Sequence, residues 1–307
     1  MLSYVAGRLA AIAALAFGIS GLVFLMLRMI PGDPVLALLG TQAANPEVVE
    51  RLRRQLGLDE PLAVQYTTWL GNLFRGDFGF SYGQQRPVSE LIAANFPATL
   101  QLTVCALFLS VLLGLAIGIV AALKRNRAAD TLGMGLALAL MSIPSFWLGL
   151  LLILLFAVTW PIFDVVGGTG FKGVVLPAVT LALGTVGFNA RFIRSSVLSA
   201  QTQKHVITAR AKGLSRATVF LRHVLRNSLL PILTVVGIQV GNLLSGTVVV
   251  ETVFSRPGLG RLLVDAILSK DYLTVQAVVL IIAVIYAGAN FVVDLCYPLL
   301  DPRIARR

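Results

Sequence analysis

The sequence predicts an all-α membrane protein with six transmembrane helices. Of its 307 residues 57% are hydrophobic and only 13% charged, whereas a soluble domain runs near half apolar with about a quarter charged. Mean hydropathy is +0.86. The few charges are also segregated. Between them lie six charge-free windows of the length needed to cross a hydrocarbon core of roughly 30 Å, about 20 helical residues at about 1.5 Å each. These observations exclude a soluble enzyme and a disordered chain.

The first window, 9–27, lies between Arg8 and Arg28. It exceeds the apolar stretch of a secretory leader, roughly 7–15 residues, and no small-x-small site precedes Pro31-Gly32-Asp33-Pro34, so it is expected to be retained as a span. The second, 91–123, is bounded by Glu90 and Lys124, and its membrane part is expected from Thr99, after Pro97. The third, 131–163, runs between Asp130 and Asp164. The fourth, 173–190, is the shortest. The fifth, 227–250, has Pro231 near its first turns, and the sixth, 272–293, closes at Asp294. Pro144 and Pro177 are expected to kink the third and fourth spans. Two GxxxG spacings, Gly114/Gly118 and Gly237/Gly241, permit close helix contact. Cys105 and Cys296 sit inside apolar runs with no spacing that suggests a disulfide framework or a metal site.

Six spans place both termini on one side. Fifteen of the 25 Lys and Arg residues fall on that side, against two of the 14 acids, Asp130 and Asp301. The positive-inside rule makes that side, and both termini, cytoplasmic. The net charge of +11 therefore reports topology, and no nucleic-acid partner is expected.

The chain divides into a first transmembrane helix (1–28), an extracytoplasmic cap segment (29–98) and a core permease domain (99–307). The core carries five transmembrane helices and a cytoplasmic loop, 191–226. In the cap segment 46–57 reads as an amphipathic helix with Val48, Val49, Leu52 and Leu56 at helical spacing and Gly57 as its C-cap. The stretch 71–82, rich in Gly and aromatics, reads as a packed loop. The segment is either a cap on the outer face or a lid without a direct role. The loop 191–226 holds eight basic residues and no acid. There His205 to Lys212 reads as a short helix ended by Gly213, and Ser215 can N-cap the next helix. Ala217, Phe220, Leu221, Val224 and Leu225 are expected on one face of that helix, and Arg216, Arg222, His223 and Arg226 on the other. A basic stretch lying on anionic membrane lipid explains the charge, but not a defined helix–Gly–helix. Outside, Pro257-Gly258 marks a turn, and Leu262, Leu263, Ala266 and Ile267 can form one face of a short helix.

No GxxxxGK[ST], HExxH, CxxC or GxSxG occurs, so the chain should neither bind ATP by a P-loop nor act as an enzyme. The glycines at 167, 168, 170 and 173 lack the Lys-Ser/Thr ending. The only histidines, His205 and His223, lie 18 residues apart in a basic loop and read as solvated rather than metal-binding. An ion-coupled secondary transporter places ionisable residues in mid-membrane. None stands at a window centre, which counts against that reading. Asn290 and Asp294 share a helical face and read as a structural hydrogen-bonding pair.

Several ordered motifs resemble the permease subunits of ABC importers of the dipeptide/oligopeptide/nickel group, over essentially the whole chain. They are Arg28-Met-Ile-Pro-Gly-Asp-Pro34, Leu56-Gly-Leu-Asp59, Gly76-Asp-Phe-Gly-Phe-Ser81 and Thr208-Ala-Arg-Ala-Lys-Gly-Leu-Ser215. Further on come Arg222-His223, Arg226-Asn227 with Pro231, Glu251, Phe254, Pro257-Gly-Leu-Gly260, Asp271-Tyr272, Asp294 and Asp301-Pro-Arg303. The resemblance implies a type I ABC importer transmembrane domain in a bacterial inner membrane. It implies a second permease subunit in a heterodimer, two ATP-binding subunits that hold ATP and Mg, and an extracytoplasmic substrate-binding protein. This chain itself would hold no cofactor. The segment that couples to the ATPase would comprise Thr208, Ala209, Arg210, Ala211, Lys212, Gly213, Leu214 and Ser215, with Arg222 and His223. Ile207-Thr208-Ala209 stands where the general motif has Glu-Ala-Ala, as in the peptide-type branch. The implied substrate is a di- or oligopeptide, with nickel or a metal chelate as the alternative. The outer segments contain no His or Cys, so a bare metal ion would lack its favoured ligands there.

Overall fold

The computed structural model describes residues 2–29, 35–36, 45–55, 57–163 and 172–300. Among these the regular secondary structure is helical apart from one short hairpin. Helices α1 (Leu2–Met29), α2 (Pro46–Gln55) and α3 (Leu62–Phe74) come first. Strands β1 (Phe80–Ser81) and β2 (Arg86–Pro87) pair antiparallel, Ser81 opposite Arg86. Then follow α4 (Val88–Leu123), α5 (Ala128–Ser142), α6 (Ser145–Ile153) with a π-helical continuation Leu154–Thr159, and α7 (Lys172–Gln201). Helix α8 (Lys204–Ala211) precedes α9 (Arg216–Thr218), a π-helical segment Val219–Leu225 and α10 (Arg226–Val253). Helices α11 (Leu259–Leu268) and α12 (Tyr272–Leu300) close the order. The chain clusters into two compact units, one of Met1–Thr99 with Pro257–Gly288 and one of Leu100–Arg256 with Ala289–Arg307. The glycines at 167, 168 and 170, residues Pro31 to Pro34, Asp301 and Arg303, and the side chains of Pro231, Asp294 and Cys296 lie outside the described residues.

Among the described residues five helices are long and apolar enough to span, and a sixth crossing is available as a bent pair, α5 with the helical stretch from Ser145, at 99° to each other. This corrects the third predicted span, which is broken rather than kinked. Pro144 has no N–H and forces the residue before it out of the α region. Ile143 is accordingly extended, at φ −83° and ψ 123°. Pro177 behaves differently and stays inside a continuous α7. An α-helical residue 177 would donate to the carbonyl of Gly173, and proline cannot. That carbonyl accepts instead from Arg256 Nη1 at 3.1 Å, while Arg256 Nη2 donates to Gln101 Oε1 at 2.9 Å. Arg256 is buried, and burial lowers its pKa from the ordinary arginine value against the opposing pull of buried Glu251.

In the unit of 100–256, α7 is the central column, 61% of its apolar window being buried. Its neighbours approach at backbone distance. A Cβ added at Gly114 would meet Asn189 Cβ at 2.6 Å, and one at Gly118 would meet Ala190 O at 2.6 Å. A Cβ on Gly187 would collide with Ala137 O and lie 2.8 Å from Met141 Sδ. The Gly114/Gly118 spacing is therefore a true contact face. Leu181 and Leu243 lie in the apolar core of this unit with Phe254.

The other unit holds the predicted amphipathic helix and Gly57, which sits at φ +63°. Leu58 N bonds Arg53 O and Gly57 N bonds Arg54 O, the paired pattern of a left-handed helix stop. The stretch read as a packed loop instead begins inside α3 and ends in the hairpin. Helix α3 packs its aromatics on α1: Tyr66 lies 5.2 Å from Phe24 between ring centroids, and Ser20 Oγ is 2.9 Å from Tyr66 Oη. The hairpin is tied to the start of α12. Ser81 Oγ donates to Asp271 Oδ2 at 2.5 Å, Thr274 Oγ1 donates to the same oxygen at 2.9 Å, and Asp271 Oδ1 accepts from Thr274 N. Predicted faces of α11 hold for Leu262 and Ala266, whereas Ile267 is exposed.

Gly187→Ala should destabilise the protein by about 1–3 kcal/mol through overpacking. Gly184→Ala, where a new Cβ meets nothing within 4 Å, should be neutral or better, as read by thermal unfolding in detergent. Arg256→Ala should cost less in a Pro177→Ala background than alone, by about 1 kcal/mol, because an alanine there restores the N–H that bonds the Gly173 carbonyl. Equal losses in the two backgrounds would refute that link.

Candidate functional site

Helix α7 runs on to Gln201 through the basic residues Arg191 and Arg194, so the first part of the predicted loop is helix. Arg194 grips Asp130 at the start of α5, Nε to Oδ1 and Nη2 to Oδ2, both at 2.7 Å. Asp130 Oδ2 also accepts the backbone N–H of Asn126 at 2.9 Å. A bidentate guanidinium–carboxylate pair fixes both partners' orientation. Sequence reading missed it because the two residues lie 64 apart; the one clue was a lone acid, Asp130, beside Lys124, Arg125 and Arg127.

Thr202 and Gln203 turn the chain into α8. Val206 and Ala209 face inward and are buried with Ile193, Val197 and Ala200 of α7 and with Val219 and Val224. Ala209 thus secures α8 to the body and is not part of its outer surface. Gly213 stops the helix at φ +78°, with Leu214 N bonding Ala209 O and Gly213 N bonding Arg210 O. Only a residue without a Cβ adopts that conformation without strain. Ser215 caps the next helix, Oγ accepting from Thr218 N at 3.2 Å. The predicted helix–Gly–helix is therefore present, with its stop and its cap as expected.

The face of the second helix meets expectation at Val224, which is buried, and at Phe220, which packs against the same core. Ala217 and Leu221 are instead exposed, and Val219, outside the expected face, is buried. The expected face assumed 3.6 residues per turn, but Val219–Leu225 is π-helical. The wider π turn brings residues five apart into line, and Val219 and Val224 are five apart.

The outward surface carries Thr208, Arg210, Ala211, Lys212, Gly213, Leu214, Ser215 and Arg222, all exposed, with Lys204 and Arg216. Exposed Ile207, Leu214 and Leu221 stand among these cations. Such a surface offers apolar contact inside a cationic rim, which suits an acidic groove on a protein. His223 is half-buried. His205, expected to be solvated, is exposed, yet its Nε2 lies 2.9 Å from Asn227 Nδ2. Among the described residues no group of three or more His, Cys, Asp or Glu could hold a metal ion.

Residues 114–306 match the family described as binding-protein-dependent transport system inner membrane component, and residues 1–103 match its membrane-component N-terminal family. The glutathione transport system permease protein GsiC of Salmonella typhimurium (strain LT2) is 43% identical over 304 residues, 99% of each chain. That of Escherichia coli (strain K12) is 42% identical over the same length and coverage. Among solved structures, an inward-facing MetNI methionine ABC transporter is similar at TM-score 0.60 and 18% identity, covering 68% of this chain and 96% of that one. An amino acid ABC transporter with histidines is similar at TM-score 0.53 and 21% identity, over 70% and 94%. The fold is that of a type I ABC importer transmembrane domain.

Gly213→Leu should strain the left-handed stop by about 1–2 kcal/mol, while Gly213→Asn should be tolerated better. Amide hydrogen exchange across 204–218 reads the difference: faster exchange in the Leu variant is expected, and unchanged protection would refute the role of the stop.

Proposed function

The chain belongs to the family of binding-protein-dependent transport system inner membrane components, and from that membership we propose that it forms half of the path of an ATP-driven importer of peptide-like solutes. It is a multi-pass protein of the bacterial inner membrane and a permease subunit of a binding-protein-dependent ABC importer. The one observation that carries the finer reading is the rigid basic turn, α8–Gly213–α9, packed onto α7 through Val206 and Ala209. A floppy loop dissipates a push; a turn with a buried inner face and a fixed helix stop transmits it.

In this reading the basic turn and both termini lie on the cytoplasmic side. Two ATP-binding subunits, which hold ATP and Mg, dock on the exposed Leu214 and the cations around it. A second, different permease subunit completes the path, and an extracytoplasmic binding protein delivers the solute. Closure of the ATPase pair moves the turns and rocks the spans between inward- and outward-facing forms. The peptide-like substrate is supported by the relatives named as glutathione permeases, glutathione being a small peptide.

Leu214→Glu places a carboxylate in the centre of the docking surface. In the importer purified with its own subunits, the variant should lose most of its bound ATPase subunits and its ATP-dependent uptake of labelled glutathione or dipeptide in proteoliposomes. Full retention of the ATPase subunits would reject the docking surface. Uphill uptake by the purified chain alone would reject the division of labour.

A further inference from the structure

Resting on the coupling reading above, we propose that His205 is a positioning residue that delivers movement of the basic turn to α10. The turn is joined to two spans, to α7 directly and to α10 through the segment Val219–Leu225. Helix α7 is clamped near one end by Asp130–Arg194 and at the other by Arg256 on Gly173 O. It is also locked in between by backbone contact at Gly114, Gly118 and Gly187. A push arriving at α8 finds α7 fixed, and it reaches α10 both through the contacts that fasten α10 to α7 and through a direct link from the turn.

The link between α8 and α10 is polar and specific. Asn227, in the first turn of α10, donates from Nδ2 to His223 O at 2.7 Å. The same nitrogen lies 2.9 Å from His205 Nε2. A carboxamide nitrogen carries two protons, so one serves each acceptor, and Nε2 is then the bare nitrogen of an Nδ1–H imidazole. His223 O, at 3.3 Å from Nε2, is then a second acceptor beside it, and Asn227 Nδ2 is the shared donor that bridges the two. The carbonyl fixes the rotation of the amide, and the amide fixes the imidazole. Among the described hydrogen bonds, the one at His205 joins α8 to α10. The carbonyl involved belongs to the π-helical segment, and local π turns recur at functional sites. Apolar packing of Val206 and Ala209 on Val219 and Val224 backs the same link but tolerates sliding, which an amide bridging two acceptors does not.

The importer purified with its own ATPase and permease subunits supplies the test. His205→Leu should keep its ATPase subunits bound and hydrolysing ATP. Solute imported per ATP consumed should fall about fivefold, the order expected for one lost hydrogen bond. His205→Gln, whose Oε1 can accept from Asn227 Nδ2, should restore most of that ratio, and Asn227→Leu should reproduce the loss from the other side. The double variant His205→Leu/Asn227→Leu should be no worse than either single one. An unchanged ratio in His205→Leu would overturn the proposal, as would equal defects in the Leu and Gln variants. Loss of the ATPase subunits from His205→Leu would also overturn it, by showing a docking residue. Retention of those subunits by Leu214→Glu would instead overturn the docking reading, so the two failures are distinguishable.

Discussion

Close backbone approach around α7 is the constraint on which the rest of its unit depends. Between helices in hydrocarbon no hydrophobic force gathers apolar side chains, because lipid is as apolar as they are. Association must come from dispersion at short range and from polar groups that find partners. Gly114, Gly118 and Gly187 supply the first, since each admits a neighbouring helix where a Cβ would collide. Arg256 supplies the second. Proline inside a span leaves a carbonyl without its donor, and such a group must be satisfied internally. Gly173 O is met by a guanidinium from beyond the end of α10, so the same contact that repairs α7 also fastens α10 to it.

The basic turn inherits its rigidity from that column. Its inner face is continuous with the apolar contact between α7 and the π-helical segment, through Val197, Val206 and Val224. A surface-lying amphipathic stretch would need only charge on one side and apolar residues on the other. Here the apolar side is consumed by protein, and Ile207, Leu214 and Leu221 remain outward among the cations. Apolar groups facing outward within a charged rim are the composition of a docking surface more than of a lipid-facing one, where they would alternate by depth with the cations.

Much of this was legible in the sequence, for identifiable reasons. Spans announce themselves because a charge in hydrocarbon is costly, so charge-free windows mark them. The helix stop at Gly213 and the cap at Ser215 were legible because each uses a residue type whose local chemistry permits little else. The break at Ile143–Pro144 was half legible: proline marks a defect, but its severity depends on whether a donor elsewhere can satisfy the freed carbonyl. At Pro177 one does, through a residue 83 positions away from that carbonyl, and pattern reading has no access to such pairings. Asp130–Arg194 was hidden for the same reason. The buried face of the second helix was right at Val224 and Phe220 and wrong at Ala217, Leu221 and Val219, because periodicity presumes a period, and a π turn changes it.

The polar contacts within the unit are graded along α7 by what hydrocarbon tolerates. Toward the basic turn, where solvent reaches Arg194 in part, the link to α5 is fully ionised. Five residues nearer the centre, about 7.5 Å along the axis, the link to α10 is a neutral one, Gln239 Nε2 donating to Asn189 Oδ1 at 3.1 Å, with both side chains buried. Further in, Thr180 turns its hydroxyl back on its own helix, onto Leu176 O. Each step inward exchanges a larger desolvation cost for a smaller one. The sequence of contacts therefore places the strongest orientational restraint next to the basic turn and leaves the interior held by packing. In the proposed coupling, force entering at the turn would meet a fixed base on α7 before it met the span.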